Sequence, residues 1–375
     1  MRRIRKLLLG LLLLLVVAVG VLAVVLAYDG DCPPAPTVAD GTSAMQAVSA
    51  RCYGGSGVLA LERVALPVPA QDEVLVRVHA AGVNPLDWHN MTGQPYVMRL
   101  GAGIGRPDDS STGVDFAGTV VAVGADVDRF RPGDAVFGAR AGAFAEYVVV
   151  RESRNIAIKP AGIGFDEAAA VPVAATTALQ ALRDAGGVRA GQRVLINGAS
   201  GGVGSYAVQI AKALGAHVTG VSSGRNTELV RSLGADEVID YTQQDFTAGD
   251  KRYDVIIDNV GNRPLSAYRL VLPLDGTLVM VTGPKRNRWL GPLGRLLWAK
   301  ATSPFVAQRQ ASLFAELNPE DLEILRGMLE AGTLRSVIDR RFPLADTAAA
   351  IDYLEQGRTR GKNVIVVIPE DHGDH

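Results

Sequence analysis

The chain has 375 residues, 48% of them hydrophobic, which is enough for two or three units with buried cores and too apolar for a disordered protein. Its 38 Lys and Arg stand against 39 Asp and Glu, and a net charge of −1 makes no field to gather a polyanion, which excludes nucleic acid as a partner. Two cysteines, Cys32 and Cys52, are too few for a four-thiolate zinc lobe or a disulfide-built scaffold; they pair in an oxidising compartment or stay as free thiols.

The first predicted element occupies residues 1–27. Leu7–Ala27 carries no charge and, as a helix, is about 31 Å long, which matches a bilayer core. Arg2, Arg3, Arg5 and Lys6 precede it while Asp29 and Asp31 follow, so the positive-inside rule places the N-terminus in the cytoplasm and the body outside. A cleaved signal peptide is the other reading, with a small-residue site at Val25-Leu26-Ala27, but the apolar run exceeds a usual signal core. A single-pass membrane anchor is therefore expected. Residues 28–44, with Pro33, Pro34, Pro36 and Gly41, read as an extended linker that keeps the body off the membrane.

From 45 to 170 short β-type runs, "EVLVRVHAAGV" (73–83) and "GTVVAVGADVDRFRPGDAVFG" (118–138), are punctuated by Gly, Pro and Asp turns. That is an irregular, mostly β unit. From 171 to 305 apolar strands alternate with amphipathic helices, which predicts an α/β unit whose parallel sheet is covered on both faces. From 306 to 375 the pattern changes again, with helix "PEDLEILRGMLEAG", strand "VIDRRFPL", helix "TAAAIDYLEQG" and strand "NVIVVI", and this tail is expected to return to the first unit.

Within the α/β unit, Ala199-Ser200-Gly201-Gly202-Val203-Gly204 follows a strand and opens a helix. It is a variant of the dinucleotide fingerprint with Ala199 where the first glycine is usual. Gly201 admits the backbone to a pyrophosphate, Gly204 admits helix onto strand, and the helix N-terminus offers N–H groups to the anion. An NAD site places Asp or Glu at the end of the next strand, whereas Ser222 and Ser223 stand there, followed by Arg225. Two hydroxyls and a guanidinium suit a 2′-phosphate, so the expected cofactor is NADPH; a solvated loop arginine is the plainer alternative.

The series "PVPAQDEVLVRVHAAGVNPLDW", "GVDFAGTVVAVGADVDRFRPGDAVFG", "GAFAEYVVV", "DEAAAVPVAATTALQAL", "VLINGASGGVGSYAVQIAKALGAHVTGV", "LGADEVIDY" and "YDVIIDNVG" resembles the medium-chain dehydrogenase/reductase superfamily, in its zinc-free quinone oxidoreductase-like branch. The resemblance covers about 45–375. It implies a GroES-like catalytic domain built from both ends of the chain, a central Rossmann domain, a cleft between them and a homodimer. It also implies that Asn84 and Val114 fill positions where zinc enzymes of the superfamily carry Cys and His, which leaves no metal site. Hydride would then pass from the nicotinamide to a quinone, enone or aldehyde. Zinc-free alcohol oxidation and a nucleotide-binding scaffold or redox sensor without turnover are the alternatives.

By the same resemblance, Asn84 and Thr177 lie at the nicotinamide, Tyr241 and Arg225 near the adenosine phosphate, and Asp258, Asn259 and Val260 beside the ribose. Asn84 is also a natural turn residue before Pro85. His89, beside Trp88, stands where some quinone oxidoreductases carry tyrosine and is the candidate proton donor. Asp87 is a second candidate, against the simpler reading of a carboxylate bonded to local backbone. Finally, "KRNRWLGPLGRLLWAK" (285–300) mixes Trp and Leu with Arg and Lys and reads either as a cover over the cleft or as a membrane-interface segment. A body outside the cytoplasm would meet little NADPH, so charge and cofactor supply point to opposite sides of the membrane.

Overall fold

The computed structural model describes residues 2–281 and 287–368. Helix α1 (Arg2–Ala27) is long and apolar enough to cross a bilayer, a test that a signal sequence also passes. From Arg3 to Val25 its side chains are exposed, Ala23 only in part, and the last turn buries Leu26 against the body.

The first unit opens with an antiparallel pair, β1 (Ala44–Ala50) and β2 (Leu59–Ala65). It continues with β3 (Glu73–Val83), α2 (Pro85–Thr92), α3 (Arg99–Ala102), β4 (Asp115–Val123), β5 (Ala135–Ala139), β6 (Tyr147–Arg151) and β7 (Ile156–Ile158). Strand β3 is buried along nearly its whole length, Arg77 alone being exposed, so it serves as the spine of the sheet and pairs antiparallel with both β4 and β6. Helices α4 (Phe165–Ala169) and α5 (Pro172–Gln180) lead into the second unit.

That unit runs β8 (Arg193–Asn197), α6 (Gly202–Ala213), β9 (His217–Ser222), α7 (Thr227–Ser232), β10 (Glu237–Asp240), β11 (Val255–Asp258), α8 (Leu265–Leu270), β12 (Thr277–Met280), α9 (Leu293–Thr302) and β13 (Arg309–Ser312). Its parallel sheet has the order β10-β9-β8-β11-β12-β13. The sixth strand lies beyond the boundary expected at 305, because "RQAS" is a polar edge strand without the apolar run that marks its neighbours.

The chain then returns through α10 (Pro319–Glu330), β14 (Ile338–Pro343), α11 (Thr347–Glu355) and β15 (Lys362–Val366). Strand β15 pairs antiparallel with β3, Asn363 opposite Val83, so the C-terminal return completes the seven-stranded sheet of the first unit.

The expected stand-off linker takes a different form. Asp29 forms a parallel bridge with Gly105, Gly30 N donates to Gly105 O at 2.7 Å, and Cys32 is disulfide-bonded to Cys52. The beginning of the 28–44 segment is thus fastened to the body, because Arg99 and the thiol pair offer it partners that Pro and Gly content does not reveal. The two cysteines, open between thiol and disulfide on sequence grounds, are paired.

Candidate active site

Counted from β8, the parallel strands stand in the order 3-2-1-4-5-6, and the strand order reverses between β8 and β11. Dinucleotides bind in the crevice at such a switch point. The turn after β8 begins at Gly198, whose φ of +80° belongs to glycine; a Cβ there would lie 2.8 Å from Val260 Cγ2. The tight-turn glycine is therefore Gly198, one residue before Ala199. Ala199 has its side chain buried in the core, and its N–H donates to Val221 O. Gly201 is the extended cap of α6, with Gly202 and Val203 in its first turn. Gly204 packs so tightly on Gly198 O that any Cβ would collide. The first N–H groups of α6 consequently face the crevice with no intrahelical acceptor.

Ser222 stands at the end of β9. It is buried, and its hydroxyl donates to Ser223 O at 3.2 Å. Ser223 and the exposed Arg225 remain at the surface, where Arg225 Nη2 donates to Arg358 O. Asn226 Nδ2 donates to Ser200 Oγ at 3.0 Å, which ties the glycine turn to this loop. Tyr241 is half exposed and its N–H donates to Ser222 O. A carboxylate does approach the loop, because Asp240 Oδ2 lies beside Gly224, but Asp240 Oδ1 is held by Thr242 N and Oγ1 at 2.9 and 2.8 Å. Backbone and hydroxyl donation by Thr242 hold the Asp240 carboxyl below its ordinary range.

At the end of β11, the fully buried Asp258 accepts from Asn197 Nδ2 at 2.8 Å, from the N–H groups of Val260 and Gly261, and from Arg295 Nη1 at 2.6 Å. Arg295, one of the basic residues of the 285–300 stretch, thus points inward and seats α9 over the crevice. Lys285 and Arg286 of that stretch lie outside the described residues. Asn259 Nδ2 donates to Asn197 O, while Asn259 Oδ1 and Asn226 Oδ1 are buried acceptors without a protein partner near the two ends of the crevice. Hydroxyls of a nucleotide ribose would satisfy such acceptors, so the residues present fit a dinucleotide.

Between the units lies a buried ionic cluster. Asn84 caps α2, its N–H donating to Asp87 Oδ2 at 2.7 Å. Its Nδ2 donates to Asp115 Oδ2 at 2.9 Å and its Oδ1 accepts from Lys362 Nζ, while Lys362 and Asp115 form an ion pair at 3.6 Å. Asp115 Oδ1 also accepts from Val173 N, and Thr177, half-buried one turn further along α5, donates to Val173 O. The amide of Asn84 is therefore engaged at both its nitrogen and its oxygen, by Asp115 and by Lys362. Burial pushes the Asp115 carboxyl up and pulls the Lys362 ammonium down, and the attraction between them opposes both shifts. Asp87 is pushed up to about 7, chiefly by burial, against the N–H bond from Asn84. It is a capping carboxylate, bonded to local backbone.

His89, in the last turn of α2, is half-buried edge-on to Trp88, with Nδ1 2.6 Å from Gln94 O. Nδ1 donates to that carbonyl, which assigns the exchangeable proton of the imidazolium to Nε2. Among the described residues no three His, Cys, Asp or Glu side chains converge as metal ligands would.

Sequence reasoning missed Gly198, Asn226, Asp115 and Lys362. Asp115 carried a signal, a charge opening the apolar run "DFAGTVV"; Lys362 carried none, since a lysine at a strand start looks like ordinary surface.

Two family models match the chain: the alcohol dehydrogenase GroES-like domain over residues 70–161 and the zinc-binding dehydrogenase over 233–365. A chloroplast envelope quinone oxidoreductase homologue of Arabidopsis thaliana is 33% identical over 338 residues, spanning 86% of this chain and 98% of the relative. A mitochondrial NAD(P)H oxidoreductase of Mus musculus is 34% identical, over 84% of this chain and 87% of its own. The solved quinone oxidoreductase of Coxiella burnetii superposes with a TM-score of 0.74 at 31% identity, covering 87% of this chain and all of that one. Fold, crevice and kinship agree, and the chain belongs to the quinone oxidoreductase-like branch of the medium-chain dehydrogenase/reductase superfamily as an NAD(P)H-dependent oxidoreductase.

Proposed function

We propose that the enzyme uses NADPH to reduce a quinone, enone or aldehyde without zinc. The observation that carries the zinc-free reading is the engagement of Asn84: at the position where a metal ligand would stand, an amide oxygen accepts from the Lys362 ammonium, and a cation beside that ammonium is repelled. The residues therefore do not fit a catalytic metal. The neighbouring Val114 offers only an aliphatic side chain.

NADPH, when bound, supplies the hydride. The chain's own residues do the rest. The N-terminus of α6 and the Gly198–Gly204 turn hold the pyrophosphate, and the acceptors on Asn226 and Asn259 take ribose hydroxyls. Ser223 and Arg225 face the 2′-phosphate, with Tyr241 beside them. Thr177 lines the nicotinamide end, and Val260 lies beside the ribose. The acceptor that has taken a hydride needs one proton, and His89 Nε2 delivers it.

The test is oxidation of NADPH and NADH by the full-length chain in detergent with a panel of quinones, enals, aldehydes and primary alcohols. Turnover of quinones or enals that survives exhaustive chelation supports the proposal. Turnover restricted to alcohol oxidation, or dependent on added zinc, overturns it. Homodimer assembly belongs to the same reading and is checked by light scattering.

For localisation we favour α1 as a single-pass anchor with the body on the oxidising face. The basic residues before the span support this, and so does the Cys32–Cys52 disulfide, since such bonds persist outside reducing compartments. Its cofactor would then have to be provided on that face. Protease digestion of the body in intact cells, without permeabilisation, is the expected outcome.

A further inference from the structure

The end of α1 is fixed to one particular face of the body, and that face carries unexplained apolar side chains. Arg99 is only 2% exposed. Its Nη1 donates to Leu26 O at 3.0 Å and to Tyr28 O at 3.1 Å, and its Nη2 lies 2.8 Å from Asp29 Oδ1. The same guanidinium stacks over Tyr53 and Tyr96 at 4.3 and 4.6 Å. A buried cation with three acceptors from one segment and two aromatic faces from the body leaves α1 no slack at Leu26.

From there the contacts pass directly to the cover of the cleft. Tyr96 N donates to Arg288 O at 2.7 Å, Val97 N donates to Trp289 O at 3.3 Å, and the Tyr96 and Trp289 rings meet edge to face. These bonds join the first unit to the second. Behind them α2 leads back to Asn84, and α9 holds Arg295 on Asp258. On the outside, Leu100 and Ile104 are 58% and 53% exposed, and Leu297 and Trp298 are 59% and 65% exposed. Arg288 and Lys300 are exposed among them. Trp and Leu bordered by Arg and Lys is the composition of a membrane interface.

We propose that residues 96–104, Trp289 and the outer side of α9 lie in the headgroup layer of the bilayer that α1 crosses, so that the cleft opens toward the membrane and takes its acceptor from the lipid phase. The proposal rests on α1 being a retained anchor. If Leu7–Ala27 fills the hydrocarbon core, Tyr28 emerges at its border, and the Arg99 clamp draws the 96–104 segment into the headgroups. An extended linker would have allowed the body any orientation; this clamp allows one.

The experiment uses the full chain reconstituted into vesicles of phosphatidylcholine with a minor share of phosphatidylglycerol, with plain or brominated acyl chains. Carbonate extraction first reports whether the chain is inserted. A chain that washes off overturns the anchor and the docking together. For an inserted chain, the expected result is loss of about half or more of the tryptophan emission in brominated vesicles, because two of its three indoles lie in the interface. A Trp289→Phe, Trp298→Phe double variant, which keeps the half-buried Trp88, should lose little. An inserted chain whose emission is untouched by bromine overturns the docking and leaves the anchor standing. So does an inserted chain whose copies cross-link through this face, which would assign it to a second copy. As a functional arm, Leu297→Gln with Trp298→Gln should raise KM several-fold for a long-chain benzoquinone dissolved in the vesicles. KM for a water-soluble benzoquinone should stay unchanged; an equal rise for both would show a folding defect and overturn the membrane route.

Discussion

At the scale of single residues, partners decide the roles. Lys362, Asp115 and Asn84 are buried together, and removing one charge strands the other. Lys362→Met should therefore cost about 3–5 kcal/mol of stability in denaturant unfolding, and adding Asp115→Asn should recover much of it. Asp87 titrates at about 7 in the folded chain against 3.8 for the ordinary carboxyl. The raised value means the folded state keeps a proton that the unfolded state releases, so this contribution to stability is full at acid pH and is lost as pH rises through about 7. Asp87→Asn should flatten that decline, read as a smaller difference in Tm between mildly acidic and mildly alkaline buffer; an unchanged difference would count against it. Arg225→Ala should weaken NADPH about ten- to a hundred-fold and NADH little, by loss of a charge-assisted bond. Asp240→Asn should tighten NADPH if that carboxylate opposes the 2′-phosphate, whereas equal effects on both cofactors would remove the loop from recognition. His89→Gln should lower kcat about a hundred-fold and abolish one limb of the pH profile, a pattern that a merely structural histidine would not produce. The residue types at 84, 87, 89 and 225 were legible as polar residues in suggestive places. Their engagement was not, because a hydrogen-bond partner some 278 positions away, as for Asn84 and Lys362, leaves no local mark.

At the scale of elements, periodicity carried most of the information. Strands such as β3, β9 and β15 announce themselves by runs of Val, Ile and Ala, and α10 by its apolar stripe behind an Asn318 cap. β13 did not, since an edge strand has one neighbour and little apolar surface to hide. Helix α9 was ambiguous for a related reason. Its Gly and Pro flanks blur the amphipathic pattern, and the residue that seats it is Arg295, whose burial is justified only by Asp258 across the sheet. Arg295→Ala should leave the Asp258 carboxylate buried and uncompensated, costing about 3–5 kcal/mol, and should speed amide exchange in α9 more than elsewhere. Uniform acceleration over the whole chain would argue that the pair holds the domain and not the helix.

At the scale of the whole molecule, the N-terminal segment is part of the body. Cys32 and Cys52 close a loop of 20 residues in sequence, and replacing both by Ser should cost about 3 kcal/mol by releasing the constraint on the unfolded chain. The same variant, still inserted in membranes, should be cleaved by protease between 33 and 44 several-fold faster than the intact protein; equal rates would show that the disulfide does not restrain this segment. The change from β-type runs to alternating strands and helices, most of those elements, the turn around Gly201 and the apolar span were legible from the residues alone, because each is written in neighbours or recurs at a short period. Only the tertiary structure decided that Asn84 closes on Lys362, that Arg295 turns inward, and that Arg99 grips the end of α1. Each of these is a polar group buried by residues distant in sequence, and burial of a charge is permitted or forbidden by partners that only the folded chain brings together.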